Sequence, residues 1–310
     1  MTAFLYVLMI FVWGFSWIAI KWQHGSVAME VSIFYRFLFA AVVMFVIGKL
    51  FHKLQSVSMK DQKYFALQGL CLFCCNFLFF YSSTLYIASG LTAVIMATAP
   101  ILNAIHGRIL YRTKVNNNFY LGVAVGLTGI TSLFAGDLLT TSWSEEVFLG
   151  MFYALAGTWC FSIGNMISIR NTQNKIQPFT ATSYAMVYGC IALLIIVLFK
   201  ELSFEIVFNT RYVASLAYLA IPASVIGFTV YLLLVDRIGA NNAAYLLVIT
   251  PIVALIISSI FESYQWTVFS TVGLLCVVLG NVISQIKKPV LSFFIKASEV
   301  DFKAKQSKAQ

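Results

Sequence analysis

One segment of this chain repeats itself: residues 87–129 recur, loosely but in register, 151 positions further on. The matching positions are Ile87, Ala93, Pro100, Ile101, Ile105, Gly122 and Gly129 in the first copy, and Ile238, Ala244, Pro251, Ile252, Ile256, Gly273 and Gly280 in the second. A further match aligns residues 13–16 (Trp-Gly-Phe-Ser) with residues 159–162 (Trp-Cys-Phe-Ser) at an offset of 146. The two offsets differ by five residues, which is the length of an insertion that one connecting loop would accommodate.

Each half of the chain contains about five apolar stretches that are long enough to cross a bilayer, since a spanning helix needs about 20 residues. The stretches are 2–20, 31–51, 64–86, 91–110, 119–135, 147–169, 179–199, 212–235, 240–261 and 267–286. An odd number of spans makes the second half enter from the opposite side. The sequence therefore predicts an all-α integral membrane protein with ten transmembrane helices in two inverted five-helix repeats. Such repeats build secondary transporters, whose solute site lies where the halves meet.

Composition and charge agree with this class. The chain has 310 residues, of which 61% are hydrophobic and 10% charged, whereas soluble domains carry about 25% charged residues. Of the twenty Lys and Arg residues, sixteen fall in the even-numbered loops or the C-terminal tail and four on the other side. This bias predicts that both termini are cytoplasmic. The net charge of +9 then reflects membrane topology, and no nucleic-acid partner is expected.

The pattern divides the chain into four parts. Residues 1–135 form the first five-helix repeat, 136–146 a polar and acidic extracytoplasmic linker, and 147–286 the second repeat. The basic tail at 287–310 has two open interpretations, an amphipathic helix on the anionic inner leaflet or a disordered segment. The first apolar stretch has no basic residue before it and no small-residue cleavage pattern, so it is interpreted as a retained helix.

Two prolines and a set of glycines predict how the spans bend and pack. Pro100 and Pro251 fall at the centres of their spans, where each removes a backbone donor and frees a carbonyl. The functional interpretation is a pair of hinges lining a central cavity; the alternative is an inert kink. The glycines that would bring the fifth and tenth spans into close contact are Gly122, Gly126, Gly129, Gly273 and Gly280.

Aromatic and polar side chains inside spans are the candidates for a solute site. Trp13 and Ser16 share a helical face that Trp159 and Ser162 repeat in the second half, although Trp also anchors helices at interfaces. Other polar residues need a partner or water at depth, and helix-to-helix hydrogen bonding is the alternative role for each. They are Asn76, Tyr81, Thr98, Asn103, Tyr184, Tyr231, Tyr245 and Thr250. Thr98 and Thr250 lie beside the prolines, which favours them.

Arg36 is predicted to lie inside a span, about 7 Å below the outer end of its helix at 1.5 Å per residue. Its planar fork would suit a carboxylate or phosphate. Lys21, on the same side, is expected to extend outward to the interface. Glu262 is the expected structural counter-ion for either of them.

Several chemistries are missing from the sequence. No carboxylate lies in the middle of a span, so a proton relay on a buried acid is not expected; His106 is the weak candidate for a coupling proton. No ATP-binding glycine loop, HExxH or GxSxG motif occurs. The six cysteines all fall inside spans and are expected to pack as small thiols, with no metal site or cofactor.

A set of motifs occurs in a specific order along nearly the whole chain. It comprises residues 13–21 (WGFSWIAIK), 35–37 (YRF), 89–93 (SGLTA) with Pro100, 121–130 (LGVAVGLTGI), then Asn241, Ala243, Ala244, Pro251, Glu262, Gly273 and Gly280. With this set the chain resembles the drug/metabolite transporter superfamily, specifically its bacterial EamA-type branch. It departs from repeat symmetry at one point, because Tyr184 is followed by Ala185 and no basic residue matches Arg36.

The resemblance implies a bacterial inner-membrane carrier that moves a small polar or zwitterionic metabolite by alternating access. Relatives often export amino acids, which favours export. A coupling proton or a counter-substrate is an open partner, and the protein is expected to be a monomer or a homodimer. Two alternatives stay open: a translocase of lipids or amphipathic drugs, and an intramembrane enzyme on lipid-linked substrates, which would need clustered catalytic groups not found here.

Overall fold

The structure, a computed structural model, describes residues 1–25, 27–113, 117–140, 145–238 and 246–286. These residues form α- and π-helices and no β-strand. The helices follow one another as α1 (Thr2–Lys21), α2 (Met29–Leu50), α3 (Met59–Tyr86), α4 (Ser89–Tyr111), α5 (Asn117–Thr140), α6 (Glu145–Gln173), α7 (Pro178–Phe199), α8 (210–238), α9 (Leu246–Phe261) and α10 (Val268–Gln285).

Seven of these helices are long and apolar enough to cross a membrane: α1, α2, α3, α4, α6, α7 and residues Thr210–Leu234 of α8. Leu246–Phe261 and Val268–Ser284 are shorter apolar helices. The predicted all-helical class is confirmed for the described residues, and the seven candidate spans agree with a multi-pass membrane protein. The count of ten spans and their inverted arrangement stay predictions.

Burial follows the pattern expected for a lipid solvent. Large apolar side chains point outward, with Phe4 68% and Ile195 61% exposed. Polar side chains such as Ser183 and Thr158 are buried between helices, and their hydroxyls donate to carbonyls four residues back, Phe179 at 2.8 Å and Ala154 at 2.7 Å. These bonds satisfy each hydroxyl within its own helix, as the absence of water in hydrocarbon requires.

Helices α5 and α10 touch backbone to backbone through glycines. A methyl group on Gly122 would lie 2.5 Å from the carbonyl oxygen of Gly280, and one on Gly280 2.6 Å from that of Gly122. Gly129 and Gly273 make the same reciprocal contact at 2.7 and 2.6 Å. The predicted close packing of these glycines is confirmed, and only glycine fits because any side chain would separate the two backbones.

Two helices contain π-helical segments that the sequence analysis missed. Leu70–Cys75 lies within α3, and Leu219–Ile226, with Pro222 inside it, lies within α8. Adding the repeat offset of 151 to 70–75 gives 221–226, which falls inside the second segment. A π-helical turn rotates the residues that follow it and is frequent at functional sites.

Candidate solute site

Arg36 of α2 is buried in the largest core of the protein, with 3% of its surface exposed. Its Nε donates to the hydroxyl of Ser224 at 3.1 Å. The guanidinium carbon lies 4.3 Å from the ring centre of Phe77 and 5.1 Å from that of Phe37. Its Nη1 is buried and has no hydrogen-bond partner among the described residues. Arg36 therefore keeps one end of its fork free in the protein interior.

No carboxylate of the described residues neutralises Arg36. Glu30, on the same helix, pairs with Lys200 at 2.6 Å, and the other ion pair joins Arg170 to Asp61 at 2.9 Å.

Glu262, the counter-ion expected from the sequence, has a different role. It accepts from the backbone N–H of Ser89 at 3.1 and 3.2 Å, from the Ser89 hydroxyl, and from the Ser258 hydroxyl at 3.0 Å. Since Ser89 begins α4, the Glu262 carboxylate caps the positive end of that helix dipole.

Two buried hydrogen bonds lie near Arg36. The hydroxyl of Tyr81 donates to Oε1 of Gln23 at 2.6 Å, and the hydroxyls of Ser32 and Tyr212 lie 3.0 Å apart. Tyr81 also lies within hydrogen-bonding and electrostatic reach of the Arg36 guanidinium, while its own hydroxyl proton is directed to Gln23. Nε2 of Gln23 is buried without a partner among the described residues, so a second donor near the arginine is free. These two pairs are called here the hydroxyl layer.

A cavity of about 580 Å³ opens where α1, α3 and α9 end and α8 begins. Tyr212 belongs both to its lining and to the hydroxyl layer, and the ring of His24, another lining residue, lies 6.0 Å edge-on from Tyr81. The cavity therefore borders the hydroxyl layer. The polar part of its lining includes Lys21, His24, Asn209, Arg211, Tyr212 and Glu262.

The cavity carries more positive than negative charge. Lys21 and Arg211 are cationic, and Glu262 is already held by two serines. Burial and the neighbouring Lys21 lower the pKa of His24 to about 4, so this ring is neutral near pH 7. Its Nε2 bonds to the hydroxyl of Thr84 at 2.9 Å, and Lys21 donates to the carbonyl of the same residue. An anion would be attracted to this cavity, which forms a vestibule to the buried site.

Trp13 lies at the contact between α1 and α8. Its Nε1 donates to the carbonyl of Ala223 at 3.2 Å, inside the π-helical segment, and its ring lies 5.3 Å from that of Tyr231. Ser16 donates to the carbonyl of Trp13 at 2.7 Å. Trp13 therefore satisfies a π-segment carbonyl one residue before Ser224, the partner of Arg36.

Trp159 and Ser162 of α6 contact α4 instead. Trp159 is 48% exposed and lies 4.5 Å edge-on from His106, whose Nδ1 bonds to the Ser162 hydroxyl at 2.7 Å. Nε2 of His106 is buried without a partner among the described residues. The described contacts of the two tryptophans thus lie on different helix pairs, α1 with α8 and α6 with α4.

The two prolines have different surroundings. Helix α4 is interrupted before Pro100, between Ser89–Met96 and Ala99–Tyr111. The carbonyl of Ala97, freed at the break, accepts from the Asn281 side chain of α10 at 2.7 Å. Pro251 lies inside the continuous helix α9.

The threonines beside the prolines bond within their own helices. Thr98 donates to the carbonyl of Ile95 and Thr250 to that of Leu246, both at 2.7 Å. Asn76, which follows the π-helical segment of α3, is buried, and its Oδ1 has no partner in the described part of the chain. Tyr245 lies outside the described residues.

Four residues around Arg36 were missed by the sequence analysis: Gln23, Ser32, Tyr212 and Ser224. One signal was available, because Ser32 and Arg36 are four residues apart and so share a face of α2. Within the described ranges, no three His, Cys, Asp or Glu side chains are grouped to hold a metal ion.

The helical fold with several apolar helices of spanning length and a buried polar site is consistent with a membrane transporter, and similarity to known proteins defines this class. The EamA-like transporter family matches residues 1–135 and 148–285, and the chain belongs to this family.

Individual relatives have low sequence identity to this chain, but the similarity covers most of the length of both proteins. The uncharacterized transporter YyaM of Bacillus subtilis (strain 168) is 25% identical over 84% of this chain and 85% of its own. Protein PagO of Salmonella typhimurium is 22% identical over 89% and 90%. A crystal structure of another protein shares the fold, with a TM-score of 0.64 and 12% identity over 91% of this chain and 95% of that one.

Proposed function

We propose that this protein is a secondary transporter that moves a small polar or zwitterionic metabolite across the bacterial inner membrane by alternating access, with export favoured. Both termini are cytoplasmic, and ten spans form two inverted five-helix repeats. One observation carries the proposal: Arg36 of the first half and Ser224 of the second enclose a polar, occluded site beside a cavity. A packed core has no need for such a site, whereas a carrier does.

The α5–α10 contact supports the inverted arrangement. Under the offset of 151, Gly122 corresponds to Gly273 and Gly129 to Gly280. The observed contacts are Gly122 with Gly280 and Gly129 with Gly273, so exchanging each residue for its equivalent returns the same set of contacts. A two-fold axis between the halves produces this reciprocity. The division of the family match into residues 1–135 and 148–285 gives independent support.

The contacts also suggest which elements close each end of the path. Near the cavity, the hydroxyl layer separates Arg36 from the vestibule. At the opposite end of α4, Arg170 of α6 pairs with Asp61 of α3 and lies 3.5 Å over the ring of Tyr64. In this mechanism the solute opens one closure while the other holds, and the break before Pro100 and the proline in α9 allow the helices to bend.

Counterflow in proteoliposomes tests this function. Purified protein is reconstituted into vesicles that are preloaded with one unlabelled metabolite, and uptake of the same labelled metabolite is followed over a panel of amino acids, organic acids, nucleosides and osmolytes. We expect saturable counterflow for at least one class of solute, and none in protein-free vesicles. Absence of counterflow with every member of the panel would contradict the proposal.

A further inference from the structure

The strongest feature that the proposed function leaves unassigned is the charge of Arg36. Its guanidinium is buried, has no carboxylate within ion-pair distance among the described residues, and leaves Nη1 without a partner. A buried charge is normally paired or hydrogen-bonded at every donor, because desolvation without compensation is costly. Ser224 and Tyr81 are neutral partners, so an anionic partner for the Arg36 charge is missing among the described residues.

The surroundings of Arg36 define the chemistry of the missing partner. The rings of Phe77 and Phe37 lie near the guanidinium, and Nε donates to Ser224, so the donor without a hydrogen-bond partner is at the Nη1 end. A group that accepts hydrogen bonds and carries negative charge fits this end, and a planar carboxylate matches the guanidinium fork. Nε2 of Gln23, which is also free, supplies a second donor nearby.

The same surroundings offer little to a solute ammonium group. Glu30 is paired with Lys200, and Glu262 accepts from Ser89 and Ser258. Among the described residues, Glu262 is the single acidic side chain in the cavity lining. The lining also contains the cationic side chains of Lys21 and Arg211. A zwitterion would find a partner for its carboxylate and none that is free for its amine.

We propose that Arg36 binds the carboxylate of the transported solute, and that the solute is a small organic anion that enters through the cavity beside the hydroxyl layer. This inference rests on the proposed transport function and narrows its solute class. Lys21 and Arg211 attract the anion into the vestibule. Separation of the Tyr81–Gln23 and Ser32–Tyr212 pairs then exposes Nη1 of Arg36 and Nε2 of Gln23.

Thermal unfolding of the purified protein with matched acids and amides tests the assignment. The probes are lactate, succinate and nicotinate, each compared with lactamide, succinamide or nicotinamide, together with inorganic phosphate. A bound solute raises the melting temperature in proportion to the logarithm of its concentration over Kd. We expect at least one acid to raise the wild-type melting temperature, its amide to have no effect, and Arg36→Gln to weaken binding about tenfold or more.

Two further variants make the result specific. Arg36→Lys keeps the charge but loses the planar fork; it should bind the acid with intermediate affinity, and it serves as the test variant if Arg36→Gln does not fold. Arg108→Gln removes an exposed positive charge whose described bond is to Tyr120 and should bind like the wild type. Equal binding by wild type, Arg36→Gln and Arg36→Lys would overturn the assignment.

The outcomes separate this inference from the transport function. If an amide stabilises as well as its acid, or phosphate alone stabilises, the carboxylate assignment is wrong and transport is unaffected. If no acid stabilises the protein while vesicles exchange another solute, the assignment is again wrong and the transporter stands. If neither stabilisation nor exchange is observed with any solute, the proposed function itself fails.

Discussion

Replacing Arg36 by methionine should make the protein more stable and abolish its transport. Methionine keeps an unbranched side chain of similar length and removes the buried charge. The desolvation cost of one buried ion is several kcal/mol in real proteins. Two interactions offset this cost. The charge-assisted hydrogen bond to Ser224 contributes about 1.5–3 kcal/mol, and the cation–π interaction with Phe77 contributes about 2 kcal/mol when desolvated.

These opposing terms nearly cancel, and the buried Nη1 without a hydrogen-bond partner adds a further cost of about 1–3 kcal/mol, so Arg36 is a net cost to folding. Apolar replacement of buried charged groups has a stabilising effect of about 1–4 kcal/mol, and we expect Arg36→Met to raise the free energy of unfolding by about 1–3 kcal/mol. At about 2–4 °C per kcal/mol for a large domain, the melting temperature should rise by a few degrees. Thermal unfolding in detergent measures this, alongside solute exchange in vesicles.

Arg170→Met is the matched control. Arg170 pairs with Asp61 at 2.9 Å and lies over Tyr64, so its removal leaves a carboxylate without its partner and should lower the melting temperature. If Arg36→Met is also clearly less stable than the wild type, the arginine is a structural element of the core, and the reasoning from its missing partner is refuted.

Three further predictions concern other parts of the protein. Gly129→Leu should prevent folding or strongly destabilise the protein in thermal unfolding, because Gly273 leaves no space for a side chain; wild-type stability would contradict the contact. Asn281→Ala should lower stability by about 1–3 kcal/mol, since the Ala97 carbonyl would be buried without a donor, and an unchanged melting temperature would refute this. The pKa of His24, about 4 against an ordinary 6.5, means that the folded state disfavours the charged ring. Its stability contribution is complete above pH 6.5 and is lost as pH falls toward 4, so His24→Gln should reduce the loss of melting temperature between pH 7 and 5; an identical pH profile would contradict this.

Much of the fold could be predicted from the sequence because the bilayer imposes simple rules. Apolar stretches of spanning length can be recognised from local composition alone. The close contact of glycines such as Gly122 and Gly280 follows from their spacing along a helix. The π-helical segments could not be predicted, because they depend on packing between helices, and Leu70–Cys75 has no distinctive composition.

The candidate site could be predicted only in part. Arg36 was identified because a charge inside an apolar stretch is costly wherever the chain folds. Its neighbours were missed, because Ser224 reaches it from 188 positions away in the sequence and Gln23 is linked to it only through Tyr81. Glu262 was assigned the wrong partner, since its proximity to the start of α4 is a tertiary feature.

If two closures alternate around the buried arginine, the distances across them change in opposite directions, and pairs of spin labels measure both distances. One label pair spans the cavity mouth, at Tyr86 and Asn209; the other joins α3 and α6 at the opposite end, at Lys63 and Thr172. We expect a transported solute to shift the two mean label distances in opposite directions, with one distance becoming shorter and the other longer. Two distributions that stay unchanged under conditions of active exchange would contradict it.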